Sequence, residues 1–397
     1  MREMILILLS IFSLALLNSS GMRPPAEFRE HTIANGLRGG YQVVATDLNH
    51  DGRIDLIALA SGMKDLLWFE NPGWEQHVLA SGLSRMINAA AADTDGDGIP
   101  EVVVAREFSN DPANSAGIVS LLTHGADVRA PWSVTEIDRL PTSHRLRWAD
   151  FEHTGRKVLV NAPLAGALSK APDYRDKVPL VFYRPGRSWK RELISDRIEG
   201  VLHGIFVTDW DRDGRDDLLA ASFLGIDLFR LNKQGAWTGT TLAAGNPEPW
   251  PKSGSSEVAV GELGKEKFLC TIEPWHGNQV VVYKAAGDSR ASRHSNDARA
   301  WKRSVIDNSL SDGHTLLTAD FNRDGRDEII AGFRGKGQSV YLYWADQNSA
   351  WTRRTLDDGG IAAAGCAVAD LNGDGFPDVA CIGSATANLK WYENVGK

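Results

Sequence analysis

The chain has 397 residues, of which 43% are hydrophobic, so it is long enough to bury a large core. Its formal net charge is −8, from 51 acidic against 43 basic residues, and this acidic balance argues against nucleic acid as a partner. The three cysteines are too few for a disulfide framework, and we interpret them as buried thiols, with a Cys366–Cys381 pairing as the alternative.

The N-terminus has the composition of a secretory signal peptide. Arg2 is followed by an uncharged apolar run from Ile5 to Leu17, and small residues continue to Gly21. The run is shorter than the ~20 residues that a transmembrane helix needs. We therefore predict a signal peptide over residues 1–21 and a single mature domain over 22–397. That domain would be periplasmic or extracellular, without stable membrane insertion after cleavage; an uncleaved anchor is the alternative.

Five copies of one acidic motif, D-x-[DN]-x-D-G-x-x-[DE], recur along the chain between apolar runs of strand length. Alternating carboxylates, a glycine and a closing acid at position 9 are typical of a calcium loop in a β-hairpin; an EF-hand would need an acid at position 12. The alternative is that these segments are polar turns that bind no ion, but five copies with aligned acids argue against it. The predicted calcium ligands are Asp47, Asn49, Asp51, Asp55, Asp93, Asp95, Asp97, Glu101, Asp209, Asp211, Asp213, Asp217, Asp320, Asn322, Asp324, Glu328, Asp370, Asn372, Asp374 and Asp378. Two degenerate copies, 150–155 and 261–267, are expected to bind no ion.

A second periodicity comes from short strands that open with an aromatic residue. These strands begin at Phe28, Trp74, Trp132, Trp189, Trp237, Trp301 and Trp351. The chain ends on the third strand of a unit, at Trp391, so the N-terminal strand is left to complete it. Together the two counts predict an all-β fold, a seven-bladed β-propeller of four-stranded antiparallel blades that the N-terminal strand closes. All acidic loops would then lie on one face.

The acidic loops and their flanking strands resemble the FG-GAP or VCBS repeat of integrin heads and secreted bacterial propellers. The resemblance covers nearly the whole mature chain. It implies the fold and calcium binding, and says little about activity.

Aligning the repeats places three histidines at one structural position. Six residues before the first Asp of their loops lie His144, His203 and His314, and the other copies carry Tyr41, Ile87, Ser255 and Ala364. His276, in a connection between second and third strands, should open onto the same face, opposite the loops. Such a cluster is compatible with a metal site, with acid–base catalysis or with buried structural histidines.

The chemistry that these residues favour is elimination from a sugar. A histidine can remove a proton next to a carbonyl, and a metal ion or an arginine can stabilise the oxyanion that forms. The segments 143–145, 202–204, 273–277 and 313–314 resemble the propeller of the aldos-2-ulose dehydratase and anhydrofructose dehydratase group. The resemblance implies a histidine-lined site with zinc or another divalent transition metal, where a keto sugar loses water. Ulvan-type polysaccharide lyases use a similar propeller with His and Tyr.

On this implication the function is a secreted lyase, a dehydratase or β-eliminase, for a keto sugar or keto-glycoside. The candidate catalytic residues are His144, as the base, with His203, Arg145 and Tyr174, and the candidate central metal ligands are His203, His276, His314 and Glu273. The alternatives are a uronate polysaccharide lyase and a carbohydrate- or protein-binding propeller without catalysis. The special residues fall in blades three to six, which favours one central site over repeated lectin pockets.

Overall fold

Seven four-stranded antiparallel sheets make up the computed structural model, which describes residues 25–285 and 301–396. The predicted seven-bladed propeller is confirmed. The predicted signal peptide lies outside the described residues and stays a prediction. A single turn of 3-10 helix, Pro112–Asn114, is the exception to the β architecture within the described ranges. No helix in these ranges has the length and apolarity needed to span a bilayer.

The strands, numbered in chain order, have the following bounds. The first half contains β1 (Phe28–Asn35), β2 (Gly40–Thr46), β3 (Asp55–Ala60), β4 (Leu66–Glu70), β5 (Glu75–Ala80), β6 (Asn88–Ala92), β7 (Glu101–Arg106), β8 (Ile118–Thr123), β9 (Ser133–Arg139), β10 (Ser143–Ala149), β11 (Val158–Pro163), β12 (Lys177–Tyr183), β13 (Arg191–Glu199) and β14 (Leu202–Thr208). The second half contains β15 (Asp217–Ser222), β16 (Gly225–Leu231), β17 (Trp237–Ala243), β18 (Glu257–Leu263), β19 (Glu266–Glu273), β20 (Gln279–Ala285), β21 (Trp301–Asp307), β22 (Gly313–Ala319), β23 (Glu328–Phe333), β24 (Ser339–Ala345), β25 (Trp351–Asp358), β26 (Ala363–Ala369), β27 (Asp378–Gly383) and β28 (Asn388–Asn394).

Blades one to six each consist of four consecutive strands, from β2–β5 to β22–β25. The seventh sheet has the order β1-β28-β27-β26, and β1 pairs with β28 from Phe28 opposite Asn394 to Asn35 opposite Asn388. The first strands of the blades, β2, β6, β10, β14, β18, β22 and β26, contact one another in cyclic order. They therefore surround a central channel.

The core lies between neighbouring blades. The second strand of a blade is covered on both faces, so it reads as a continuous apolar run, such as Leu218–Ala221 in β15. Between blades three and four, Val160 and Phe182 pack with Ile205 and Phe229. Each fully buried side chain of this size contributes about 1.5–3 kcal/mol. The predicted aromatic residues stand at or just before the outermost strands, as Trp132 does ahead of β9.

The cysteines differ from the sequence-based interpretation. Cys366 and Cys381 form a disulfide between β26 and β27, whereas Cys270 is a buried free thiol as expected. The two bonded cysteines lie directly opposite each other in the ladder, so their side chains come within bridging distance. The preference for thiols at these two positions was therefore wrong.

Replacing both cysteines, Cys366→Ser with Cys381→Ser, is expected to lower the free energy of unfolding by about 3 kcal/mol, because a crosslink of this span restricts the unfolded chain. The sequence separation it closes is 15 residues. Thermal unfolding with and without reductant measures the effect: reductant should lower the melting temperature of the wild type and leave the double variant unchanged. A wild type that does not respond to reductant would contradict the assignment.

Candidate functional site

A β-bulge near the start of the innermost strand distinguishes five of the blades. There the ladder between the first two strands skips one residue, and the skipped residues are Tyr41, His144, His203, His314 and Ala364. A bulge re-aims the side chain of its extra residue. The position identified by aligning the repeats is therefore the bulge position, and four of its five side chains form ring contacts across the channel mouth.

Three histidines converge at this mouth. One ring nitrogen from each of His203, His276 and His314 lies within 4.8 Å of the other two. The Nε2 atoms of His203 and His276 are 3.2 Å apart, and the buried Nε2 of His314 has no hydrogen-bond partner among the described residues. His276 was predicted to lie on the same face of the propeller as the other histidines, and the structure places it there.

The outer nitrogen of each of these rings is held by a neighbouring oxygen. Nδ1 of His203 lies 2.9 Å from the Glu257 carboxylate, and Nδ1 of His314 donates to the carbonyl oxygen of Ala364 at 2.5 Å. Nδ1 of His276 lies 3.4 Å from Asp312 and 3.5 Å from Arg334 Nη2. Oxygen partners fix the tautomer of metal-binding histidines, so His203 and His314 present the lone pair of Nε2 to the centre, and Nε2 of His276 lies beside them.

Burial keeps these rings neutral. It lowers the pKa of His203 and His314 well below the ordinary histidine value, and nearby arginines add to the effect. The pKa of His276 falls to about 4, mainly through burial and then through Arg334. Three neutral imidazoles whose ring nitrogens converge on one spot fit zinc or a similar ion, with a coordination position left for a substrate.

His144 belongs to a second group beside the three. Its Nε2 accepts a hydrogen bond from the Tyr41 hydroxyl at 3.0 Å, and Arg145 Nη1 lies 3.2 Å from the same atom. Because arginine can only donate, the ring proton is assigned to Nδ1 and the lone pair to Nε2. Burial and then Arg145 lower the pKa of His144 well below its ordinary value.

Arg145 connects the two groups. Its guanidinium is buried, donates to Glu257 at 2.8 Å and lies 3.5 Å from Nε2 of His203. Burial alone would disfavour its charge, but Tyr41 and Glu257 outweigh burial and raise the pKa of Arg145. The side chain is therefore a permanent, fixed cation between His144 and His203.

The indole ring of Trp275 lies between Tyr174 and the histidines. Tyr174 lies in the connection between β11 and β12, with its ring 5.7 Å from that of Trp275, which in turn lies 4.8 Å from His276. Phe223 and Trp250 pack into the same aromatic group. Burial raises the pKa of Tyr174, so its hydroxyl keeps its proton at neutral pH.

The side chain of Glu273 does not point towards the three histidines. Its carboxylate is fully buried and accepts hydrogen bonds from Tyr283 at 2.6 Å and Arg303 at 2.7 Å, with Ser255 and Thr271 as further donors. Its oxygens are thus occupied, and the structure does not support it as a metal ligand. Conversely, the sequence analysis missed Glu257 and Asp312, because neither lies at the repeated position that revealed the histidines.

The acidic loops share one geometry. In the first loop, Asp47 accepts hydrogen bonds from the backbone N–H groups of Asp51 and Gly52, while the buried closing acid Asp55 accepts from Leu48 N–H. The first, third and ninth positions come within 4.8 Å of one another in two loops, made by Asp93, Asp95 and Glu101 and by Asp209, Asp211 and Asp217. Clustered carboxylates in a hairpin turn are the oxygen set that Ca²⁺ prefers.

Four closing acids lie where burial and neighbouring carboxylates disfavour their charge. Burial, together with the neighbouring loop carboxylates, raises the pKa of Asp217 to about 7 and that of Glu328 to about 8. Asp55 and Asp378 rise to about 6 for the same reasons. A bound divalent cation would offset this repulsion, so the residues fit calcium.

Basic side chains contact both degenerate loops, whose expected lack of an ion stays a prediction. In the third blade, Glu152 pairs with Arg184 at 3.1 Å. In the fifth blade, Lys267 donates to the backbone carbonyl of Trp210 in the neighbouring loop at 2.7 Å.

Comparison with known families gives two matches. Residues 116–286 match the profile of the aldos-2-ulose dehydratase β-propeller domain, and residues 26–104 and 320–381 match the FG-GAP-like repeat. Among curated proteins, aldos-2-ulose dehydratase of Phanerodontia chrysosporium is 28% identical over 267 residues, which cover 62% of this chain and 29% of that protein. The chain thus spans less than a third of that relative's length.

Solved structures support the fold. An Agrocybe aegerita lectin that recognises non-reducing terminal N-acetylglucosamine superposes with a TM-score of 0.53 at 13% identity, covering 90% of this chain and 86% of the lectin. The exotype rhamnogalacturonan lyase YesX superposes with a TM-score of 0.51 at 12% identity, covering 90% of this chain and 72% of the lyase. At such identities the likeness establishes the propeller alone.

Proposed function

We propose that this chain, an FG-GAP-repeat propeller similar to that of aldos-2-ulose dehydratase, is a metal-dependent carbon–oxygen lyase for keto sugars or keto-glycosides. The observation that carries the proposal is the convergence of His203, His276 and His314, the first and last with Nδ1 held from outside and Nε2 directed inwards. When bound there, a divalent ion such as zinc would supply a Lewis acid for the sugar carbonyl.

The proton transfer is assigned to His144. Its Nε2 carries the lone pair and accepts a hydrogen bond from the Tyr41 hydroxyl at 3.0 Å. The Tyr41 oxygen would take the proton from the carbon next to the carbonyl while its own proton passes to Nε2 of His144. Arg145 holds its charge beside the base, where it would stabilise the oxyanion that develops as the proton leaves.

The leaving hydroxyl or alkoxide needs a proton donor. Tyr174 is protonated at neutral pH, because burial raises its pKa, and it is a candidate for that role. The aromatic rings around it, those of Trp275, Trp250 and Phe223, would cover one face of a bound sugar and exclude water.

We further propose that the protein is exported to the periplasm or the extracellular space and carries structural calcium in its five complete loops. The Cys366–Cys381 disulfide supports export, since disulfides persist in oxidising compartments. The acidic loops with their buried closing carboxylates support calcium.

Metal content by mass spectrometry, paired with an activity assay, tests the central site. Wild type should carry about one transition-metal ion in addition to calcium, and the variant His203→Ala with His314→Ala should lose it. Activity would be followed as the rise of enone absorbance with 2-keto and 3-keto sugars and their glycosides. The double variant is expected to lose at least about 100-fold in kcat/KM.

The matched control removes two histidines outside the channel, His31→Ala with His77→Ala, on the outermost strands β1 and β5. It should retain both the transition metal and the activity. Only calcium in the wild type, unchanged by the double variant, would refute the metal site. Glycan binding without turnover, or cleavage of uronate polysaccharides instead, would refute the keto-sugar lyase.

A further inference from the structure

The channel contains a polar cavity that His314 borders. Its volume is about 90 Å³, several times what one water molecule occupies. Its polar lining includes Tyr41, Asn88, Arg145, Arg147, Glu257 and Thr315. Arg147 lies two residues deeper along β10 than Arg145, so the cavity extends from the proposed active site towards the acidic loops.

The charges around this cavity do not balance. Arg145 pairs with Glu257 at 2.8 Å. Arg147 pairs with no carboxylate among the described residues. Its Nη1 donates to the carbonyl oxygen of Leu146 at 2.8 Å and lies 3.3 Å from Asn88 Oδ1, which leaves Nε and Nη2 without an acceptor in the part of the chain that the structure describes. The cavity thus has two guanidinium groups and one carboxylate.

Arg147 remains a cation in spite of this environment. Burial and then the neighbouring Arg145 lower its pKa to about 10, which is still well above neutral pH. Arg147 is half-buried in the channel, so bulk water reaches its guanidinium only in part and a counter-charge would stabilise it. The lining contains donors for such a counter-charge in Arg147 and in the Thr315 hydroxyl.

We propose that the cavity binds a monovalent anion of the size of chloride, held by Arg147 and facing Arg145. The anion balances the second guanidinium and ties blade three to the neighbouring inner strands. The cavity borders His314, but the anion would be held by Arg147, which has no assigned role in the lyase reaction, so the two proposals can be tested independently.

Bromide, which scatters anomalously and replaces chloride, is the direct probe. Crystals of the wild-type protein soaked in sodium bromide should show an anomalous peak within hydrogen-bonding distance of the Arg147 guanidinium. A cavity that holds only water, with no bromide peak, overturns the proposal. Because this measurement uses the wild type, it does not depend on whether any variant folds.

Thermal unfolding provides the second test. At constant ionic strength, exchanging sodium gluconate for 100 mM sodium chloride should raise the melting temperature of the wild type by about 2–4 °C. The variant Arg147→Gln should lose this rise. The exposed Arg187→Gln serves as the matched control and should keep it. An equal chloride response in all three proteins would contradict a site at Arg147.

Discussion

EDTA is expected to lower the melting temperature of this protein by at least about 10 °C. Each ion held at a concentration 100-fold above its Kd adds about 2.7 kcal/mol to the folded state, and five complete loops would each contribute. The closing acids explain why removing the ions should lower the stability so much. Once the ion leaves, buried Asp217 and Glu328 face other carboxylates, and their raised pKa values show that burial already disfavours their charge.

Adding ions back separates the two proposed kinds of metal site. Calcium should restore the melting temperature, whereas zinc should restore enone formation. A matched pair of variants tests the loops: Asp93→Asn, at position 1 of a complete loop, should remove one calcium, and Asp150→Asn, at position 1 of a degenerate loop, should remove none. A melting temperature that EDTA leaves unchanged would eliminate structural calcium.

His144→Gln is expected to lower kcat for elimination by about 10²–10⁴-fold, the usual contribution of a positioned general base. Glutamine can still hydrogen-bond with Tyr41 and Arg145, so the local geometry is retained while the basic nitrogen is lost. Steady-state kinetics on the best keto-sugar substrate measures the effect, and KM should change far less than kcat.

Two controls test whether the loss of kcat comes from the missing base and not from a damaged metal site. The variant should keep its full transition-metal content, because His144 is not one of the three converging histidines. The variant His77→Gln, on an outer strand, should match the wild type. If His144→Gln kept full activity, another group would have to be the base, and Tyr41→Phe would be the next variant to assay.

The fold was predictable because each repeat carries two independent markers. The acidic loop marks the turn between the first and second strands, and the aromatic residue marks the outermost strand. Both follow from local chemistry: carboxylates and glycine in a hairpin turn, and a bulky ring that covers the blade edge. The pairing of Cys366 with Cys381 was only the alternative in the sequence-based interpretation, because composition gave no reason to prefer a bond over two thiols.

The site was predictable only in part. Equivalent positions in a repeat occupy equivalent places in the ring, which is why aligned His144, His203 and His314 meet. The bulge that aims them has no clear sequence marker, and Glu257 and Asp312 became visible only through their contacts with histidines. Glu273 failed for a complementary reason: its neighbour in sequence, His276, reaches the channel, while its own side chain turns into a blade towards Arg303.

The pairing of β1 with β28 has a consequence for how the molecule folds. Phe28 lies opposite Asn394, so β1, the first of these strands to be made, must wait for β28, the last of them. Contacts with such a large sequence separation slow folding, because the chain must lose much of its freedom before they form. Until then the seventh sheet has an open edge that another chain could pair with. Removing β1 or β28 should therefore leave an open edge in the seventh sheet and promote aggregation.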